Sequence, residues 1–146
     1  MTRPPILRGP SLDAASRLLQ SMSLPIADLT DDHLEHFFYC GSRDAPIGLI
    51  GLELFTQDGL LRSLAVVPDQ RASGVGTALV ARAEEHAGAA GIRELYLLTT
   101  TAEDFFRRRG YVAAERRTAP AAIRATREFA GLCPSSSAFL HKRLHE

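Results

Sequence analysis

Long apolar runs are missing from this 146-residue chain. No stretch approaches the roughly 20 apolar residues that span a bilayer as a helix, and the residues around Arg3, Pro4 and Pro5 lack the apolar core of an export signal. Cysteine is scarce as well. Cys40 and Cys133 stand far apart with no partner at ligand spacing, so neither a structural zinc site nor a disulfide scaffold is expected, and free thiols suit a reducing compartment. Neither sign of charge is in excess, with 17 Lys and Arg against 17 Asp and Glu, so no overall field calls for nucleic acid or a membrane. Repeats and low-complexity linkers are absent too. The expectation that remains is one cytoplasmic domain over residues 1–146. Such a chain buries about 68–70% of its unfolded surface and needs no metal or disulfide to hold a core.

What is present is short and well punctuated. Ser11 can cap a helix carrying Leu12, Ala15, Leu18 and Leu19, stopped by Pro25. A second short helix is expected from Thr30 or Asp31, carrying Leu34 and Phe37 or Phe38, with a short strand over Phe38–Cys40 turned by Gly41-Ser42-Arg43-Asp44. Ile47–Phe55 and Leu60–Val67 read as a hairpin around Gln57-Asp58-Gly59. From Gly74 to Ala90 the composition is helical. Val75, Leu79, Val80, Ala83, Ala87 and Ala90 share one arc of the wheel, and Gly91 stands where a C-cap belongs. Leu95–Thr100 is nearly all apolar, as in a central strand covered on both faces. A helix over Ala102–Arg109 and strands over Tyr111–Arg116 and Ala138–Leu144 complete the chain. Helices, antiparallel strands and then a strand–helix–strand crossover predict a mixed α/β sheet rather than a doubly wound one.

The informative stretch is the loop between the hairpin and the long helix, Arg71-Ala72-Ser73-Gly74-Val75-Gly76-Thr77. N–H groups at a helix start lie outside the helical ladder, the helix dipole adds positive charge, and glycine lets the backbone approach a phosphate. Ser73 and Thr77 could add hydroxyl donors. A plain helix cap uses the same residues. A nicotinamide-binding fingerprint fits poorly, because Pro68–Ser73 separate strand from glycine and the third glycine is missing. A nucleotide-hydrolase loop fails because no Gly-Lys-Ser/Thr follows.

On these residues the chain resembles the GNAT superfamily of N-acetyltransferases. Arg71 to Gly76 is similar to the coenzyme A pyrophosphate loop, Arg/Gln-x-x-Gly-x-Gly/Ala. Leu64-Ala65-Val66-Val67-Pro68 is similar to the strand before it, and Phe105-Phe106 through Gly110-Tyr111 to the family's aromatic helix. The resemblance implies a mostly antiparallel central sheet flanked by helices, with splayed central strands that leave a slot for an acyl thioester. It implies acetyl-CoA as co-substrate, the backbone of Leu64, Ala65 and Val66 along the pantetheine arm, and the pyrophosphate held by residues Ala72 to Thr77, with Val75 and Gly76 in the first turn. One of Arg107, Arg108 or Arg109 would reach the ribose phosphate, or all three form a solvated face. Small members of the family often pair, so a homodimer is implied as well.

The pattern breaks at Phe106, where many relatives place a tyrosine that protonates the departing thiolate. Relatives that acetylate peptide ends often have a glutamate in the strand after the main helix, and Leu97, Leu98 and Thr99 supply none. Glu53 is the candidate base, directly or through water, against its reading as a solvated strand glutamate. Tyr96, Tyr111, Thr100, Thr101 and Cys133 are candidate acids that spacing does not rank. On the acceptor side, the connection from Thr118 to Ser137 would lie over the cleft. Arg124 and Arg127 on neighbouring turns could clamp a small anion, or Arg124 could pair with Glu128. His33 and His36 at helical spacing have no third partner, so no metal is expected.

Leu97–Phe106 with Ile123–Phe129 and Leu132-Cys133-Pro134 further resembles small N-acetyltransferases associated with arsenic resistance. That resemblance implies N-acetylation of a small, anionic primary amine, amino-acid-like or arsenical. The alternatives are a plain glutamate-like amino-acid N-acetyltransferase and a non-catalytic acyl-CoA-binding regulatory module.

Overall fold

The structure, a computed structural model, describes residues 5–71, 73–133 and 136–144. Strands β1 (Ile6–Arg8), β2 (Phe37–Gly41), β3 (Pro46–Leu54), β4 (Asp58–Val66), β5 (Glu94–Thr99), β6 (Val112–Ala113) and β7 (Ala138–Arg143) form one sheet in the order β1-β2-β3-β4-β5-β7-β6. The pairs β1–β2, β2–β3, β5–β7 and β6–β7 are antiparallel and β4–β5 is parallel. Helices α1 (Leu12–Ser21), α2 (Val75–Ala89), α3 (Glu103–Arg107) and α4 (Ala121–Arg124) flank it, giving the expected mixed α/β architecture. The chain divides into two compact units, Met1–Glu53 with Arg62–His86 and Leu54–Leu61 with Ala87–Glu146. Among the described residues no helix is long and apolar enough to cross a membrane.

In the first unit, α1 starts as its sequence requires. Ser11 Oγ accepts from the Ala14 N–H at 3.1 Å and satisfies one of the donors a helix start leaves over. The helix ends at Ser21, before Pro25, with Ser23 at a φ of +57°. Its inner face buries Ala15 and Leu19 against Leu34, Phe37, Tyr39, Leu49 and Ala65. Each fully buried side chain of leucine size contributes about 1.5–3 kcal/mol. The glycines in β3 make room. A Cβ on Gly51 would fall 2.2 Å from Phe37 Cζ, and one on Gly48 only 3.0 Å from Val75 Cγ1, so Gly48 lets α2 sit close on the sheet.

The second helix expected after Thr30 is instead a 3₁₀ turn, His33–His36. Phe37 and Phe38 belong to β2, because every residue from Phe37 to Cys40 is buried and a doubly covered strand buries both faces. The β3–β4 turn also comes earlier than its signal. The Phe55 N–H donates to the Asp58 C=O at 2.9 Å, so Asp58 and Gly59 already lie in the strand. In α2 the expected arc is buried at Val75, Leu79, Val80, Ala83 and Ala87. Ala90 is the exception, exposed one residue past the helix end, where Gly91 turns the chain at a φ of +89°.

In the second unit, β5 pairs with β7 along its whole length, from Glu94–Arg143 to Thr99–Ala138. Its ladder with β4 is short. It covers Asp58–Glu94, Gly59–Leu95 and Leu60–Tyr96, although β4 runs on to Val66 and β5 to Thr99. Leu60, Tyr96, Ala119, Ile123 and Phe139 make the core of this unit. The strand expected over Tyr111–Arg116 shrinks to Val112–Ala113, since Tyr111 is buried against Phe106 (ring centroids 5.4 Å apart) and Arg116–Thr118 coil into a 3₁₀ turn. No continuous helix carries Arg124 and Glu128 a turn apart. Thr126 Oγ1 donates to the Ile123 C=O at 2.7 Å, a side-chain bond that competes with the helical ladder, and Glu128–Leu132 then form a π turn.

Candidate active site

The start of α2 combines an acid-free first turn with open space at its first glycine. The Ala78 N–H donates to the Gly74 C=O at 3.0 Å where the helix opens, so the N–H groups ahead of it lie outside the helix's own ladder. Gly74 holds a φ of +85°, and a Cβ there would meet nothing within 4 Å. The glycine is therefore required by backbone conformation, and the space above it is open. Two other helices carry acidic side chains in their first turns, Asp13 in α1 and Glu103 with Asp104 in α3, whereas α2 has none. A diphosphate suits this helix start on geometry and on charge.

The expected loop residues are placed unevenly around it. Arg71 folds back, its Nε donating to the Val66 C=O at 3.1 Å, so it braces the loop against β4. Ser73 Oγ donates to the Gln70 C=O at 2.6 Å, which spends the hydroxyl proton expected for a ligand. Val75 and Gly76 are buried in the first turn and Thr77 is half-buried. Ala72 lies outside the described residues. Leu64, Ala65 and Val66 lie past the end of the β4–β5 ladder, with Ala65 and Val66 buried.

Glu53 is part of a network that the sequence reading did not anticipate. Arg62, fully buried in β4, donates from Nη1 to Asp28 Oδ2 at 2.6 Å and to Glu53 Oε2 at 2.8 Å, and from Nη2 to Asp28 Oδ1 at 2.9 Å. Its Nε donates to Ser63 Oγ at 3.0 Å. Burial pushes the Asp28 carboxyl up, but the hydrogen bonds and charge of Arg62 outweigh it and the net shift is downward. His33 places a ring nitrogen within 4.8 Å of oxygens of both carboxylates. The cation between these acids is the guanidinium itself, so the donor set is already neutralised in part. Ser63 has a φ of +60° in mid-strand, a conformation that costs a non-glycine residue of order 1–3 kcal/mol. Arg62 and Ser63, neighbours in sequence, are both buried. The available signal was an arginine inside the leucine run Leu60-Leu61-Arg62-Ser63-Leu64, paired with an aspartate 34 residues away.

The other candidates are engaged elsewhere. Tyr96 donates from its hydroxyl to Glu94 Oε2 at 2.6 Å, and burial followed by Glu94 raises its pKa far above the usual tyrosine range, so it is a poor acid. Thr99 Oγ1 caps the next turn by accepting from the Ala102 N–H at 3.0 Å, and Thr100 and Thr101 are exposed. Arg107 pairs with Glu103 at 2.8 Å, Arg108 bonds the Asp104 C=O, and Arg109 bonds the Phe105 C=O with its guanidinium 3.5 Å from the Phe105 ring centroid. Arg124 and Arg127 are both exposed in the second unit. His33 and His36 diverge, His33 toward Thr30 and His36 to His86 at 3.3 Å. Cys40 is buried, which pushes its thiol pKa up, while Cys133 is half-buried.

Residues 8–111 match the Acetyltransferase (GNAT) family. This chain belongs to the GNAT family of acetyltransferases. It is 32% identical over 93 residues to an uncharacterized N-acetyltransferase of Chlorobaculum tepidum, a match that covers 63% of this chain and 59% of the relative. Over 64 residues it is 44% identical to the amino-acid acetyltransferase of Ectopseudomonas mendocina, covering 44% of this chain and 15% of that protein. Among solved structures, N-acetylglutamate synthase from Neisseria gonorrhoeae, complexed with coenzyme A and N-acetyl-glutamate, superposes with a TM-score of 0.81. It is 24% identical and covers 100% of this chain and 36% of its own. The chain thus spans about three fifths or less of the length of these relatives. Phe106, where the resemblance leads one to expect a tyrosine, is buried and packed edge-on to Phe105 and Tyr111.

Proposed function

We propose that the chain is an acetyl-CoA-dependent N-acetyltransferase acting on the primary amine of a small amino-acid-like acceptor. The observation that carries this reading is the family match over residues 8–111, which includes the acid-free, glycine-opened start of α2. The likeness to amino-acid acetyltransferases and to N-acetylglutamate synthase supports the amino-acid class. In this reading the first turn of α2 and Gly74 hold the diphosphate of acetyl-CoA, and the backbone of Leu64–Val66 pairs with the pantetheine arm as an added strand. Bound there, the thioester supplies the acetyl group.

Glu53 receives a proton from the acceptor ammonium, leaving the nitrogen lone pair free for attack. A backbone N–H of β4 stabilises the oxyanion, and with Phe106 in the acid's place the thiolate leaves without a tyrosine donor. In this reading Arg124 and Arg127, both exposed, hold the acceptor's anionic group. An amino-arsenical is a second acceptor class with the same amine and anion, but the likeness to amino-acid acetyltransferases favours amino acids.

The test is release of coenzyme A thiol from acetyl-CoA with a panel of amino acids, glutamate among them, and of amino-arsenicals. Turnover confined to amino acids supports the reading, and turnover confined to arsenicals transfers it to that class. Tight acetyl-CoA binding with no turnover of any amine would leave a regulatory acyl-CoA-binding module in its place.

A further inference from the structure

We propose that Arg62 is a positioning residue for acetyl transfer, acting through Glu53, and that Asp28 acts through Arg62. The inference rests on the N-acetyltransferase reading with Glu53 as its base. The Arg62 side chain is 0% exposed, with Asp28, Glu53 and Ser63 around it, so it does not reach a ligand in solvent. Asp28 is nearly as enclosed, at 4%, and gives both carboxylate oxygens to Arg62. Glu53 is the member of the network that opens outward. Its side chain is 16% exposed, and Arg62 holds it by Oε2. A glutamate turns about three side-chain bonds, and pinning one oxygen fixes where the other points. For a base that must meet one N–H of a small amine, that fixed direction is the contribution of orientation to the rate.

The charge arrangement agrees with the role. The two carboxylates outnumber the one guanidinium, with the His33 ring within 4.8 Å of both, and Glu53 is the carboxylate that solvent reaches. A protonated amine is drawn to that end. In the step itself an N–H bond of the ammonium breaks, the electron pair stays on nitrogen, and the proton passes to Glu53. The nitrogen then forms the amide bond as the carbon–sulfur bond breaks and its pair leaves on the thiolate. Arg62 and Asp28 change no bond and no proton.

The test is a double-mutant cycle between Arg62→Lys and Glu53→Gln. It is read as kcat and KM for the amino acid of the panel that the wild type turns over fastest, with acetyl-CoA affinity by calorimetry as the check on fold. Arg62→Lys alone is expected to lower kcat by about 10-fold or more with acetyl-CoA affinity unchanged, and to cost less than about 2-fold in the Glu53→Gln background. Asp28→Asn should follow the same pattern with a smaller loss, and it carries the cycle if Arg62→Lys does not fold. Equal losses in both backgrounds, or no loss from Arg62→Lys, would overturn the positioning role and leave the transferase reading intact. Full kcat in Glu53→Gln would remove the base and this inference with it. A wild type that binds acetyl-CoA and acetylates no amine would overturn the transferase reading beneath both.

Discussion

The two units of this chain are opposites in net charge, and in the first the sign runs against what its helix start suits. The first carries seven Lys and Arg against ten Asp and Glu, and the second ten against seven. Yet the net-negative unit holds the helix start suited to a diphosphate. Binding of a small anion is decided within a few ångströms, by backbone N–H groups and by the absence of an acid from one helical turn. Side-chain charge summed over a unit acts at longer range and is screened by salt. The units also stabilise their polar groups differently. The first encloses a complete carboxylate–guanidinium network, whereas the second stacks Tyr96 on Phe139 and His141 at 5.6 and 5.8 Å and joins Tyr96 to Glu94.

The largest break in this comparison should come from Arg62→Met, which strands Asp28 as a buried, unpaired charge. A loss of about 3–5 kcal/mol in urea unfolding is expected, largely recovered in the Asp28→Leu/Arg62→Met double variant. Next comes Gly74→Leu. It places a bulky side chain at a φ of +85° in the open space over the α2 start, and acetyl-CoA affinity by calorimetry should fall by about 100-fold, or roughly 2.7 kcal/mol. In the second unit, Arg124→Ala with Arg127→Ala should raise the acceptor KM by about 10-fold, roughly 1.4 kcal/mol, while acetyl-CoA affinity holds. An unchanged KM would return both arginines to the solvated surface.

The smallest effect concerns pH. Burial, with Arg8, His36 and Arg82 adding to it, holds the His86 pKa below its ordinary 6.5. Between those two values the unfolded chain binds more protons than the folded one, so stability should fall as pH drops below about 6.5. His86→Phe should flatten that part of a stability–pH curve, and an equally steep curve would point to another group.

Much of the local structure around the candidate site was legible because its signals are local. Ser11 before an apolar helical pattern, glycines before and after α2 and the Gly74–Gly76 spacing each act within a few residues, and each stands where it was expected. Glu53 could be named from the sequence, but its neighbours could not. Asp28 and Arg62 meet across 34 residues of chain, and no local pattern joins an arginine in a strand to that aspartate. The connection after Pro120 failed for a related reason. Helical spacing assumed a continuous helix, and the hydroxyl of Thr126 interrupts it by bonding the Ile123 carbonyl.

The short β4–β5 ladder has a consequence for how this protein persists in a cell. Past Leu60–Tyr96 that ladder no longer engages β4, and on the proposed reading it is a small molecule that extends the sheet there. Acetyl-CoA is then a folding ligand as well as a reactant. At 100 times its dissociation constant it would add about 2.7 kcal/mol to stability. The lifetime of the enzyme would track the acetyl-CoA supply, and starvation for its co-substrate would thin the enzyme population as well as slow its turnover.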